Sequence, residues 1–317
     1  MKGVVLDQSA DQSSPLLAEL TSNYAALEEL GDRVFPAPNR TIVVAIANQK
    51  GGVGKTTSAV NLAAALAMGG LTVAVIDMDP QGNASTALGV PHGEGVPSTY
   101  EVLLGELGFA DVFQACPDVD GVVVSPATID LAGAEIELVG EPGRAKFLRE
   151  SIDELLVAGV KPNVILIDCP PSLGLLTLNA FVAADVLLIP VQAEYYALEG
   201  LTQLLNTVAK VKADLNPDLA APLILVTMVD ARTRLSAEVA AEVRQHFGGR
   251  VFDVEIGRSV RISEAPSYGQ SVVSYDPRGG LSLTRLSPVG LSLVGVSLAG
   301  TSGACAGASP AVSPSAR

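Results

Sequence analysis

Seven short apolar runs mark the middle of the chain, at residues 42–47, 71–76, 121–124, 163–167, 185–191, 222–228 and 251–254. Stretches with apolar residues at helical spacing lie between them, near 55–68, 144–158, 174–183, 197–213 and 235–247. The runs are strand-like. Strand and helix in alternation predict an α/β fold: a mostly parallel, twisted sheet with helices on both faces. Right-handed crossovers then put the loop after the first strand at the carboxyl edge of the sheet, where ligands bind in such folds.

The pattern divides the chain into three regions. Residues 1–40 read as an extension with a short helix. Ser14 and Pro15 start it, Leu16, Leu17, Leu20, Tyr24, Leu27 and Leu30 form its apolar face, and Gly31 ends it. This helix either packs on the main domain or serves a partner; Pro36 and Pro38 follow as a linker. Residues 41–280 form the main domain. Residues 281–317 hold no acidic residue and only Arg285 and Arg317 as charges, so they read as a low-complexity, poorly ordered tail. The apolar stretch 281–300 is broken by Arg285, Pro288 and repeated serines and glycines, and no run reaches the length of a spanning helix.

Charge and cysteine content narrow the classes. The net charge of −14 argues against a surface coated in basic residues. Cys116, Cys169 and Cys305 are far apart, which points to a reducing compartment without a disulfide framework or zinc site. His92 and His246 have no partners at metal-ligand spacing, and no secretory signal is evident at the N-terminus.

The most informative chemistry follows the first run. Lys50-Gly51-Gly52-Val53-Gly54-Lys55-Thr56-Thr57 joins a strand to a helix. Gly54, Lys55 and Thr56 fit the end of the phosphate-loop pattern G-x-x-x-x-G-K-[ST], but Gln49 stands where that pattern begins and Lys50 is an added cation. Glycines let backbone N–H groups press on phosphate oxygens, and the helix dipole points its positive end at the same anion. Lys55 is placed to reach the β- and γ-phosphates and the Thr56 hydroxyl to hold Mg²⁺. The extra lysine suggests a phosphate reached from elsewhere, such as a second subunit.

Acidic partners close two other runs. The strand 71–76 leads into Asp77-Met78-Asp79-Pro80-Gln81-Gly82-Asn83, and alternation puts Asp77 and Asp79 on one side if the strand continues. The strand 163–167 ends in Asp168, followed by Cys169-Pro170-Pro171-Ser172. Two such ends beside a phosphate loop suit a site holding Mg²⁺ and an attacking water, because a metal ion balances a buried carboxylate.

Together these residues resemble the ParA/Soj family of chromosome- and plasmid-partitioning ATPases, P-loop NTPases of the deviant Walker A class. The resemblance covers about residues 41–278. Besides the segments above it rests on Pro190-Val191-Gln192-Ala193-Glu194-Tyr195-Tyr196-Ala197-Leu198-Glu199-Gly200 and Val260-Arg261-Ile262-Ser263-Glu264-Ala265-Pro266-Ser267. It implies ATP and Mg²⁺ as cofactors, with Gly51, Gly52, Val53, Gly54, Lys55, Thr56 and Thr57 around the phosphates and Met228 and Asp230 near the base. It implies Lys50 acting across an ATP-bound homodimer, Lys55 within its own subunit, Asp79 positioning the hydrolytic water, and Thr56, Asp77 and Asp168 on the metal side. It further implies a cytoplasmic, nucleoid-associated protein that binds non-specific DNA as an ATP dimer. In that family hydrolysis is slow until a ParB-type partner stimulates it and releases the dimer.

Residues 231–280 carry seven arginines against six acids, so a dimer could pair Arg258 and Arg261 into a phosphate-contacting patch despite the acidic whole. Three features depart from the family. Gly257 and Val229 replace a usual proline and a usual aromatic near the base, and Gly279-Gly280 leads into the tail where a helix is usual. A shifted reading frame would account for the last of these. The alternative function is a MinD-like membrane-associated ATPase, which calls for a terminal basic amphipathic helix that 281–317 does not supply. An iron–sulfur relative would need cluster-ligating thiolates, and a non-enzymatic binding module would not need the full acidic and lysine set.

Overall fold

A computed structural model describes residues 34–194, 197–230 and 232–276. The expected helix within 1–40 and the expected tail 281–317 lie outside the described residues. An eight-stranded sheet forms the centre, in the order β3-β4-β2-β5-β1-β6-β7-β8. The strands are β1 (Ile42–Ile46), β2 (Val73–Asp77), β3 (Gln114–Ala115), β4 (Val122–Ser125), β5 (Val164–Asp168), β6 (Val186–Gln192), β7 (Leu223–Val229) and β8 (Val251–Gly257). All pairs are parallel except β3 with β4. All seven expected strands are present; β3, a two-residue edge piece, was not expected.

Every residue of β1, β2, β5 and β6 is buried. Successive side chains enter opposite cores. Ile42, Val44 and Ile46 join one, with helix α1 (Lys55–Met68) and Leu88. Val43 and Ala45 join the other, with α3 (Leu131–Glu137), α4 (Phe147–Val157), α5 (Leu175–Ala183), α6 (Ala197–Asp214) and α7 (Arg234–Phe247). The period-two alternation of a strand therefore divides the apolar residues between two helical layers. The short helix α2 (Asn83–Ala87) caps the turn after β2, and further one-turn helices include Thr99–Leu103 and Val260–Glu264.

The residues flanking Pro36 and Pro38 are tied to the domain. The Phe35 N–H donates to the Gly69 carbonyl at 2.8 Å, and its ring is 4% exposed, in the same core as α1. Burying such a ring is worth about 1.5–3 kcal/mol. Arg40 adds an ion pair to Asp185 at 2.9 Å.

Candidate functional site: a nucleotide cleft at the carboxyl edge

β1, β2, β5 and β7 deliver their following segments to one edge of the sheet. After β1, Asn48 shapes the turn: its Nδ2 donates to the Pro190 carbonyl (2.8 Å) and its Oδ1 accepts the Lys50 N–H (3.0 Å). Gly52 (φ 73°) and Gly54 (φ 91°) take left-handed conformations that a Cβ would strain. Gly54 is the N-cap of α1, so the free N–H groups of its first turn open onto the cleft. From β7, the Thr227 hydroxyl donates to the buried Val53 carbonyl at 2.8 Å and ties the loop's back to the sheet.

Two adjoining cavities result. One, of about 370 Å³, is lined by Gly51, Gly52, Gly54, Lys55, Thr56, Thr57, Asp79 and Pro171, among others. The other, of about 320 Å³ and mostly apolar, includes Gly54, Thr57, Met228, Ile256, Gly257 and Ile262. Met228 lines both. Its φ of 54° makes it the one non-glycine residue in the left-handed region among the described residues, a strain that persists where surrounding structure imposes it.

The carboxylates have different surroundings. β2 ends at Asp77, so the expectation that Asp77 and Asp79 share a side does not hold. Asp77 turns inward, accepting the Ser85 N–H (2.9 Å), the Ser85 hydroxyl (2.7 Å) and the Asp79 N–H (3.1 Å). Burial raises its pKa to about 6, against the lowering pull of Ser85. Both oxygens thus accept hydrogen bonds from the protein, and Asp77 braces the turn after β2. Asp79, 8% exposed, lines the first cavity, and its Oδ1 accepts the Gln81 N–H.

Asp168 is the opposite case. It is fully buried, neither oxygen has a hydrogen-bond partner, and it lies opposite Asp77 across the β2–β5 ladder. Burial first, then Asp77, pushes its pKa well above the usual carboxylate range, while the Thr56 hydroxyl and Lys55 pull it back. Burial lowers the Lys55 pKa, and the charges of Asp168 and Asp79 oppose that shift. An orphaned carboxylate beside a loop hydroxyl is a donor set for a hard cation. Asp168 and Thr56 therefore fit Mg²⁺.

The two lysines part company. Lys55 is 7% exposed and inside the phosphate cavity. Lys50 is outside that lining, and its ammonium pairs with Glu194 at 2.8 Å on the surface. Asp230 is not brought to either cavity lining; Arg232 holds it through two bonds (2.9 and 2.8 Å) and keeps its pKa at about 2. Arg258, expected on a DNA face, lines the apolar cavity and stands 4.0 Å from Glu194. Arg261 pairs with Glu264 at 3.2 Å and lies over the Tyr275 ring. Sequence reasoning missed the cavity wall formed by Ile256, Ser259, Val260, Ile262 and Ser263; the 260–267 motif was visible, but not its role.

Cys116 and Cys169 are buried free thiols, each pushed up in pKa chiefly by burial.

A twisted parallel sheet with a glycine loop, a buried lysine, a threonine and strand-end aspartates at its carboxyl edge defines a P-loop nucleotide-binding protein. A family described as "AAA domain" matches residues 41–221. The Bacillus subtilis sporulation initiation inhibitor protein Soj is 50% identical over 238 residues, 74% of this chain and 92% of that protein. The Caulobacter vibrioides chromosome partitioning protein ParA is 49% identical over 234 residues, 74% of this chain and 87% of that protein. Among solved structures, the cobyrinic acid a,c-diamide synthase of Mycobacterium smegmatis, crystallised with ADP and magnesium, is 38% identical with a TM-score of 0.64, covering 72% of this chain and 92% of that one. The chain belongs to the ParA/Soj family of P-loop ATPases.

Proposed function

We propose that this protein is a DNA-partitioning ATPase. It closes as a homodimer around ATP and Mg²⁺, binds DNA without sequence preference in that state, and releases it when a ParB-type partner stimulates hydrolysis. The observation that carries the reading is the division of labour between the lysines: Lys55 is committed to its own cavity, and Lys50 stands outside it, held by an exposed pair with Glu194 that a second copy's triphosphate would replace.

Bound Mg²⁺ would neutralise charge that builds on the triphosphate. The chain's residues do the rest. The loop N–H groups and the α1 dipole hold the phosphates, and Lys55 offsets the charge that builds on them. Thr56 and Asp168 hold the ion. Asp79, at the cavity wall, orients the water in line with the terminal phosphate, and the Asp77–Ser85 brace keeps the Asp79 turn in place. The largely apolar second cavity takes the base. Lys50 from the second copy makes hydrolysis depend on dimerisation, as an arginine finger does.

Arg258 and Arg261 are the proposed DNA contacts, and the nucleoid within the cytoplasm is the proposed location. No helix among the described residues is long and apolar enough to cross a membrane. The half-identical relatives named for chromosome partitioning favour the DNA reading over a MinD-like one. The test is ATP turnover with and without DNA and a ParB-type peptide. Lys50→Ala is expected to lose ATP-dependent dimers, and Asp79→Ala to form dimers that persist. Normal turnover in Asp79→Ala removes that residue from its role. Pelleting with ATP and liposomes, without DNA binding, reverses the choice between DNA and membrane.

A further inference from the structure

The loop after Asp168 is held from a neighbouring helix. Cys169 starts it, its N–H donating to the Ile46 carbonyl at 3.1 Å. Pro171 lines the phosphate cavity. Gly174 ends it as the N-cap of α5, and α5 has no side-chain cap and no acidic residue in its first turn. Its free N–H groups would be left to solvent. Instead Glu135, on α3, places Oε1 3.3 Å from the Leu176 N–H. A carboxylate at that end of a helix is also favoured by the dipole.

Gly174 bears the imprint of this contact. A Cβ built there would lie 2.1 Å from Glu135 Oε1 and 3.0 Å from Cδ. The backbone of Gly174 is extended (φ −78°), so glycine is not needed for its conformation. It is needed for the room the carboxylate occupies. The other tether, from the Thr177 hydroxyl to the Ser172 carbonyl at 2.7 Å, comes from α5 itself. Fixing the start of α5 thereby fixes the loop.

We propose that Glu135 is a positioning residue for the segment 169–174: it caps α5 from α3 and so holds the metal-side loop against the phosphate cavity. The proposal rests on the reading of Asp168 as a metal-side ligand. Hydrogen exchange on nucleotide-free, Mg²⁺-free protein reports the cap independently of that reading. Glu135→Ala is expected to speed exchange at the Leu176 amide and across 170–178. It is also expected to raise the Mg²⁺ concentration for half-maximal ATP turnover by about three- to tenfold, the scale of losing one capping bond. ADP binding without Mg²⁺ is expected to hold.

Glu135→Gln keeps an acceptor and is expected to restore most of both effects. Gly174→Ala evicts the carboxylate while leaving Glu135 in the chain. It is expected to reproduce Glu135→Ala, and the double variant to be no worse than either. Unchanged exchange in both Glu135→Ala and Gly174→Ala would overturn the cap, as would losses that add in the double variant. Faster exchange with an unshifted Mg²⁺ requirement would overturn the link to the metal side. Absence of Mg²⁺-dependent turnover in the unaltered protein would instead count against the ATPase reading.

Discussion

Removing the charge of Asp168 is expected to make the free protein more stable and its nucleotide complex less so. The carboxylate is fully buried, has no hydrogen-bond partner and lies opposite Asp77 in the sheet register. A buried polar group left unpaired costs about 1–3 kcal/mol, and more when charged. Asp168→Asn keeps the shape and cannot ionise; its amide is still unpaired, but the added cost of a buried carboxylate that must carry charge or take up a proton is gone, so the nucleotide-free protein is expected to gain about 1–3 kcal/mol at neutral pH. In a domain of this size each kcal/mol moves the melting temperature by about 2–4 °C, which puts the rise at roughly 2–12 °C. Ligand binding stabilises the unaltered protein by mass action, about 2.7 kcal/mol at a hundredfold excess over Kd. The variant is expected to forgo most of that gain with Mg·ADP. The assay is thermal unfolding followed by circular dichroism, first in EDTA and then with Mg·ADP. A variant that melts below the unaltered protein in EDTA, or gains as much from Mg·ADP, refutes the idea that Asp168 is held destabilised for a cation.

Three further outcomes follow from particular side chains. Thr227→Val strands the Val53 carbonyl, so nucleotide affinity is expected to fall by about five- to 150-fold, the range for one buried unpaired group of about 1–3 kcal/mol, as read by calorimetry. Gly69→Ala puts a Cβ 1.9 Å from the Phe35 ring; expelling that ring is expected to cost about 1.5–3 kcal/mol, visible in urea unfolding, with ADP affinity unchanged. Arg261→Ala is expected to weaken binding of the ATP-bound form uniformly across DNA sequences. It is also expected to make the slope of log affinity against log salt shallower by about one for each DNA phosphate that the arginine neutralises; an unchanged slope takes Arg261 off the DNA.

What could be read in the chain and what could not have different physical origins. β1 and β5 are buried on both faces, so they appear as unbroken apolar runs. Gly52, Gly54, Lys55 and Thr56 are local in sequence and carry their chemistry in their spacing. Features made by distant pairings were hidden. Ser85 donates twice to the Asp77 carboxylate, and only the chain's turn after β2 brings it there. Lys50 meets Glu194 across 144 positions. The wall of the apolar cavity depends on Val260–Glu264 folding back toward α1, which periodicity over five residues cannot reveal. β3 has two residues, too few to form a pattern. Glu135 looks like an ordinary surface acid of α3 until the missing side chain of Gly174 is set against it.

Light scattering in the presence of a non-hydrolysable ATP analogue and Mg²⁺ tests the trans-acting lysine most directly. The unaltered protein is expected to double in mass and Lys50→Ala to remain single while still binding the analogue. A saturated but monomeric unaltered protein, or an undiminished dimer in Lys50→Ala, would contradict the account.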